Sequence, residues 1–273
     1  MSKIEYINVK PGDVIELPER KKPERLNVEK LLEICRRLLE KRSKEYNNYG
    51  ASDWLDKECR IEMLSHPVYS ESDSELIKAQ NEAYAAQFKQ SVSQWEKRRE
   101  TNPANLTELA LTLMLQKILP DRFLVVNAST CDDRENGVDN LILDRQTGNV
   151  VCGIDEVIER SYYEGPSKKA EKIQQKMVKG GFQVKYGARF KDGDLSLESL
   201  KNVPAFYLSL NKEDLVKLSG CLESEEITKE EQDLFQSLKD SLLTQVSSYE
   251  KLPLSEPLQE NIKIFKNFLS SRD

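Results

Sequence analysis

Between positions 28 and 46 the apolar residues Leu31, Leu32, Ile34, Cys35, Leu38 and Leu39 recur at helical spacing, with Arg36, Arg37, Lys41, Arg42 and Lys44 mostly around them. That pattern predicts an amphipathic helix over 28–46. Asn27 is its N-cap, and Glu29 falls in the first turn, where a negative charge suits the helix dipole. Lys30 takes the third helical position, so the reciprocal capping box is absent. From about Ser72 or Ser74 to Arg99 the apolar set thins to Leu76, Ala79, Ala83, Phe88, Val92 and Trp95. This predicts a long polar helix that packs along a neighbour, as in a helical hairpin or a lid. Residues 47–70 show no clear period. Residues 1–26 read as an extended lead punctuated by prolines, with a short strand at Ile4–Val9.

The pattern changes at "TNPAN", residues 101–105. Asn102 can cap and Pro103 can take the first position of a helix over Pro103–Leu119, which Pro120 ends. Three apolar runs then predict strands at Phe123–Ala128, Val138–Leu143 and Val150–Val157. The second and third are joined by the turn "DRQTGN", where Gly148 can supply a positive φ. A helix over Ser167–Val178 ends at Gly180–Gly181. A short strand at Phe182–Tyr186 and a final strand at Val203–Leu210 follow. The order predicts an α/β domain, a mixed β-sheet with helices against it. After Asn211 the pattern is helical again: a short helix through Leu218, a second capped by Thr228 with Glu231 three residues later, and a third near Leu258–Leu269. The chain thus reads as a mainly helical region over 1–101, an α/β core over 102–210 and a helical extension over 211–273.

Composition narrows the chemistry. The 273 residues are 38% hydrophobic and 32% charged, with a formal net charge of -6. That balance disfavours bulk coating of nucleic acid but allows a local basic groove. Cys35, Cys59, Cys131, Cys152 and Cys221 are dispersed and lack any CxxC pair, which fits free thiols in a reducing compartment. The lone His66 argues against a Cys/His zinc site and against a Ser-His-Asp or Cys-His nucleophile. No GxxxxGK[ST] loop and no GxGxxG after a strand is present. Neither a signal peptide nor an 18-residue apolar run is visible, so the expectation is a cytoplasmic protein without a membrane span.

Candidate chemistry is acidic. Asp139 lies early in the second strand, and Asp155 and Glu156 late in the third. A tight hairpin between those strands can bring Asp139 and Asp155 to one sheet edge. Period-2 alternation turns Glu156 the other way. Paired carboxylates repel unless a cation intervenes, and Mg²⁺ or Mn²⁺ on Asp139 and Asp155 would also activate a water for phosphodiester hydrolysis. The plain alternative is that acidic strand ends simply reach the surface, and Asp132, Asp133 and Glu135 read as an exposed acidic turn.

Helix, three-stranded meander, helix, strand resembles the PD-(D/E)XK nuclease superfamily, on "NGVDNLIL" and "VCGIDEV" with Asp155 16 residues after Asp139. The resemblance covers roughly 102–210 and implies a restriction-endonuclease-like core. It also implies a metal-dependent nuclease with Asp139, Asp155 and Glu156 in the acidic motif and Glu108 contributed by the first core helix. The sequence departs from the pattern at Val157, where the family carries lysine. Some members move this lysine onto the following helix, which makes Lys172 the first candidate and Lys169 the second, with Lys176 on the same stripe. If no lysine reaches the site, the resemblance implies an inactive nuclease-like domain kept for binding. From Lys168 to Lys191 eight residues are basic and only Glu171 is acidic. This segment is the expected nucleic-acid contact, with Lys185 and Tyr186 placed to touch phosphate or stack on a base. The helical regions are candidate surfaces for a homo-oligomer or a protein partner.

Overall fold

The computed structural model describes residues 26–50, 53–158 and 168–270. The expected strand at Ile4–Val9 lies outside them. Helix α1 spans Val28–Asn47 and is capped by Asn27, whose side chain accepts the Lys30 N–H. The segment after it, unassigned from sequence, wraps back on the sheet. Leu55 bridges Ile61, and Arg60 bridges Asn127 on the edge of the first strand.

The expected long helix is two helices, α2 (Glu71–Gln87) and α3 (Val92–Glu100). Lys89 between them takes a positive φ of 54°. Ser91 starts α3 with a full capping box to Gln94. Then follow α4 (Pro103–Ile118), β1 (Phe123–Asn127), β2 (Asn140–Asp144), β3 (Val150–Ile158) and α5 (Lys168–Val178). A single π-type turn, Asp132–Asn136, leads into β2. The region between α5 and the last strand holds more than the expected short strand. It is a hairpin of β4 (Phe182–Lys191) and β5 (Asp194–Val203), and Pro204 separates β5 from β6 (Ala205–Leu210). Helices α6 (Lys212–Cys221), α7 (Lys229–Tyr249) and α8 (Glu256–Ser270) complete the chain.

The architecture is α/β. A mixed sheet in the order β1-β2-β3-β6 is antiparallel except for the parallel β3–β6 pair. Helix α4 covers one face through ten buried residues. The β4–β5 hairpin packs on the other face, where the Phe182 ring lies so close to Gly153 that a Cβ there would sit 2.7 Å from it. Both edges are closed. Residues 59–61 hydrogen-bond along β1, and the Gln245 amide of α7 both donates to and accepts from the Tyr207 backbone on β6. One contiguous set of buried apolar side chains runs from Leu31 to Leu269, so α1 and α6–α8 are walls of the same core as the sheet. Among the described residues no helix is long and apolar enough to cross a membrane.

Candidate functional site

The β2–β3 register sets Asn140 opposite Ile154 and Leu141 opposite Gly153. Alternation then puts Asp155 on the face of Gly153, and Ile154 and Glu156 on the face of Asn140. Asp139 stands one residue before β2. Its N–H donates to Ile154 O at 2.9 Å, and its Oδ2 accepts the Glu156 N–H at 2.5 Å. That bond fixes the Asp139 carboxylate at the Asp155–Glu156 peptide, next to Asp155. Both side chains are buried, with 9% and 7% of their residue surface exposed.

A lysine approaches Asp155 across Gly137, a left-handed residue with φ +61°. A Cβ placed there would lie 3.0 Å from Lys176 Nζ and 3.7 Å from Asp155 Oδ2. Ammonium and carboxylate thus flank one small space that glycine keeps open. Lys176 Nζ also donates to Asn136 O and lies 4.8 Å from the centre of the Phe182 ring. Because Phe182 packs on Gly153, these contacts put Lys176 on the face of Asp155. This corrects the choice of Lys172. Lys172 is exposed one helical turn earlier, and the last turn of α5 is the one lying against the Asn136–Gly137 corner. The Lys169 side chain lies outside the described residues.

The other two acids of the expected site are on the opposite side of the sheet. Glu156 accepts from Asn140 Nδ2 at 2.8 Å, in a buried network with the Thr112 hydroxyl of α4. Glu108, one turn before Thr112, sits in the field of Arg60. Burial disfavours the Arg60 charge, but Asp133 and Glu108 overcome it and raise the guanidinium above its ordinary pKa. Arg60 also donates to Ala128 O at 2.8 Å. The sheet therefore separates Glu156 and Glu108 from Lys176. Among the described residues no group of three or more His, Cys, Asp or Glu is placed to hold a metal ion.

Two further expectations change. Asp132 is not on an exposed turn but fully buried, accepting from Ser129 Oγ, Asn136 Nδ2 and the N–H groups of Lys185 and Tyr186. The π-type turn tucks beneath β4, and its first carboxylate replaces the strand partner β4 lacks there. The basic segment 168–191 is also less open than its composition suggests. Lys185 pairs with Asp73 of α2 at 2.5 Å, Arg189 and Lys191 share Glu198 of β5, and Tyr186 is buried with its hydroxyl on Asp73. Asp73 comes from an element distant in sequence, and Glu198 from the neighbouring strand of the same hairpin. His66 is buried edge-on to Tyr186, with Nε2 2.9 Å from Gly187 O, and burial lowers its pKa. That is a packing role.

Comparison with protein-family models, with curated proteins and with solved structures gives no match to this chain.

Proposed function

We propose that the protein is a metal-dependent phosphodiesterase of the nuclease type, with Asp139, Asp155 and Lys176 as its working groups. The observation that carries the reading is the approach of Lys176 Nζ and Asp155 Oδ2 to one small space at Gly137, beside the fixed Asp139 carboxylate. The order of elements supports it, because helix, antiparallel meander, helix and parallel strand resembles the restriction-endonuclease-like core. Mg²⁺ or Mn²⁺ on Asp139 and Asp155 would supply charge neutralisation and a more acidic water. Lys176 is then positioned to stabilise negative charge developing on a phosphate at the Gly137 opening. Asp139 keeps its orientation through the Glu156 N–H. Glu108 and Glu156 have positioning roles from the α4 side.

A second reading, a nuclease-like domain that binds without cleaving, is favoured by one observation. The carboxylate that Glu108 was expected to contribute lies on the other face of the sheet, where its charge acts on Arg60. Incubation with single-stranded and duplex DNA and RNA, with and without Mn²⁺, separates the two. The catalytic reading expects metal-dependent cleavage that falls at least about 100-fold in Asp155→Asn and in Lys176→Met. Metal-dependent cleavage unchanged in both variants would remove the site assignment, and no cleavage of any substrate would leave the binding reading.

A further inference from the structure

The helical arm α2–α3 carries a surface that the core does not use. Across α2 only Ala85 is buried, and α3 buries nothing. Tyr84 in the last turn of α2 and Phe88 at its C-cap remain 48% and 46% exposed. Trp95 of α3 stacks on Tyr84 with ring centres 5.6 Å apart and planes 6° from parallel. Guanidinium groups lie over the rings, Arg98 4.6 Å from Phe88 and Arg99 5.9 Å from Trp95.

Charge adds a second line of argument. Between Lys89 and Arg99 four residues are basic (Lys89, Lys97, Arg98, Arg99) and only Glu96 is acidic, in a chain whose net charge is -6. The cleft below the stack is lined by Tyr84, Trp95, Arg99, Glu108, Asp133 and Arg134 among others. Arg134 is held there by Ile77 O and Asn81 Oδ1. Its charge is disfavoured by burial and then by Arg99 beside it, and the neighbouring Asp133 offsets that only in part.

We propose that the Tyr84–Phe88–Trp95 face, with Lys89, Arg98, Arg99 and Arg134, binds single-stranded nucleic acid, whose bases stack on the rings and whose phosphates meet the guanidinium groups. Flat rings interleaved with cations are the sequence-tolerant way to hold unpaired bases, and a paired duplex hides the base faces such rings need. The cleft includes Glu108 and so lies on the α4 side of the sheet, but the turn that supplies Arg134 continues to the candidate site. Arg134 in the cleft and Asn136 under Lys176 belong to the same turn, two residues apart and so at most about 7 Å along the chain. As a statement of substrate class this rests on the nuclease reading. As a statement of binding it stands without it.

The test is anisotropy of labelled oligothymidylate, oligouridylate and a blunt DNA duplex with the full chain in EDTA, together with tryptophan emission. Either single strand is expected to bind more tightly than the duplex and to quench emission. Trp95→Phe is expected to keep binding and lose the quench. Tyr84→Ala, Phe88→Ala and Arg98→Ala, at exposed positions that leave the fold intact, are each expected to weaken binding roughly tenfold. Equal affinity for duplex and single strand, binding unchanged in all three alanine variants, or no binding of either single strand would overturn the inference. Asp155→Asn separates the two proposals. It is expected to bind as wild type while losing cleavage. If it cleaves like wild type, the nuclease reading fails and the arm data stand. If the arm variants bind normally, the arm inference fails and the nuclease reading stands.

Discussion

Helices α4 and α2 are nearly the same length, 16 and 17 residues, and spend their side chains in opposite ways. Helix α4 buries ten residues, including Thr112 and Gln116, whose polar atoms bond to the sheet. Helix α2 buries one, and apart from Ile77 against the core its hold on the rest of the molecule is mainly polar: Asp73 on Tyr186 and Lys185 at one end, Arg134 on Asn81 and the Ile77 carbonyl further along. One helix is a wall of the core. The other is an arm bolted on at a few points, and local stability should follow that division.

The core side of the contrast is broken most directly at Phe206. It is fully buried on β6 with its ring 4.5 Å from Phe265 and 5.3 Å from Tyr249, centre to centre. Phe206→Ala is expected to cost about 3–5 kcal/mol in urea unfolding. A loss below about 1 kcal/mol would mean that the C-terminal helices are not walls of the core. Next comes Gly153→Ala, whose new methyl carbon would meet Phe182 at 2.7 Å and Val138 at 3.2 Å. An expected loss of about 1–3 kcal/mol reflects a rigid ring held between sheet and hairpin. A neutral substitution would show that the β4–β5 hairpin rides loosely on the sheet.

The same contrast marks what the sequence could show. Apolar runs at Phe123, Leu141 and Val151, and the capped helices beginning at Val28, Pro103 and Lys229, were legible because burial imposes their period. The hairpin was half legible. Leu195 and Leu197 alternate after the Asp192–Gly193 turn, but Ser196, Glu198 and Lys201 made the run look like loop. The break at Lys89 was hidden because an exposed arm carries no strict apolar period, although Ser91 and Gln94 spelled out the cap. At the site, Asp139 and Asp155 could be paired by hairpin spacing. The choice of Lys176 over Lys172 could not, since the two lie on one stripe and only packing of the last turn of α5 distinguishes them. The ion pairs that quieten segment 168–191 were invisible for a similar reason: Asp73 is more than a hundred residues from Lys185 in sequence and 2.5 Å away in space.

The bolt at Asp73 gives a smaller and pH-dependent effect. Burial alone would raise its pKa, but the bonds from Lys185 and Tyr186 and the charge of Lys185 outweigh that and lower it from 3.8. A depressed folded pKa means that the stabilisation is fully present above 3.8 and is lost as pH falls through the lower folded value. Because Lys185 is 40% exposed, the pair is partly screened, and Asp73→Asn is expected to cost about 1 kcal/mol at neutral pH. The wild-type advantage should shrink only under strongly acid conditions. An advantage of the same size at pH 2 and pH 7 would show that shape, not charge, holds the root of the arm.

The smallest effect is expected on the arm itself, and it is the sharpest discriminator. Phe88 is 46% exposed and rests on Arg98, so Phe88→Ser should change global stability by no more than about 0.5 kcal/mol. Hydrogen exchange reads the same point without a mutation. The α4 amides are locked under ten buried side chains and should exchange only through global unfolding. The α2–α3 amides are held by few buried side chains, chiefly through the Arg134 and Asp73 contacts, and should exchange through a cheaper local opening. If both sets exchange with one common free energy, α2–α3 is an integral part of the core despite its exposure. If the arm exchanges first and Phe88→Ser leaves the α4 rates untouched, its aromatic residues are not needed for folding, and their exposure is then to be explained by what they bind.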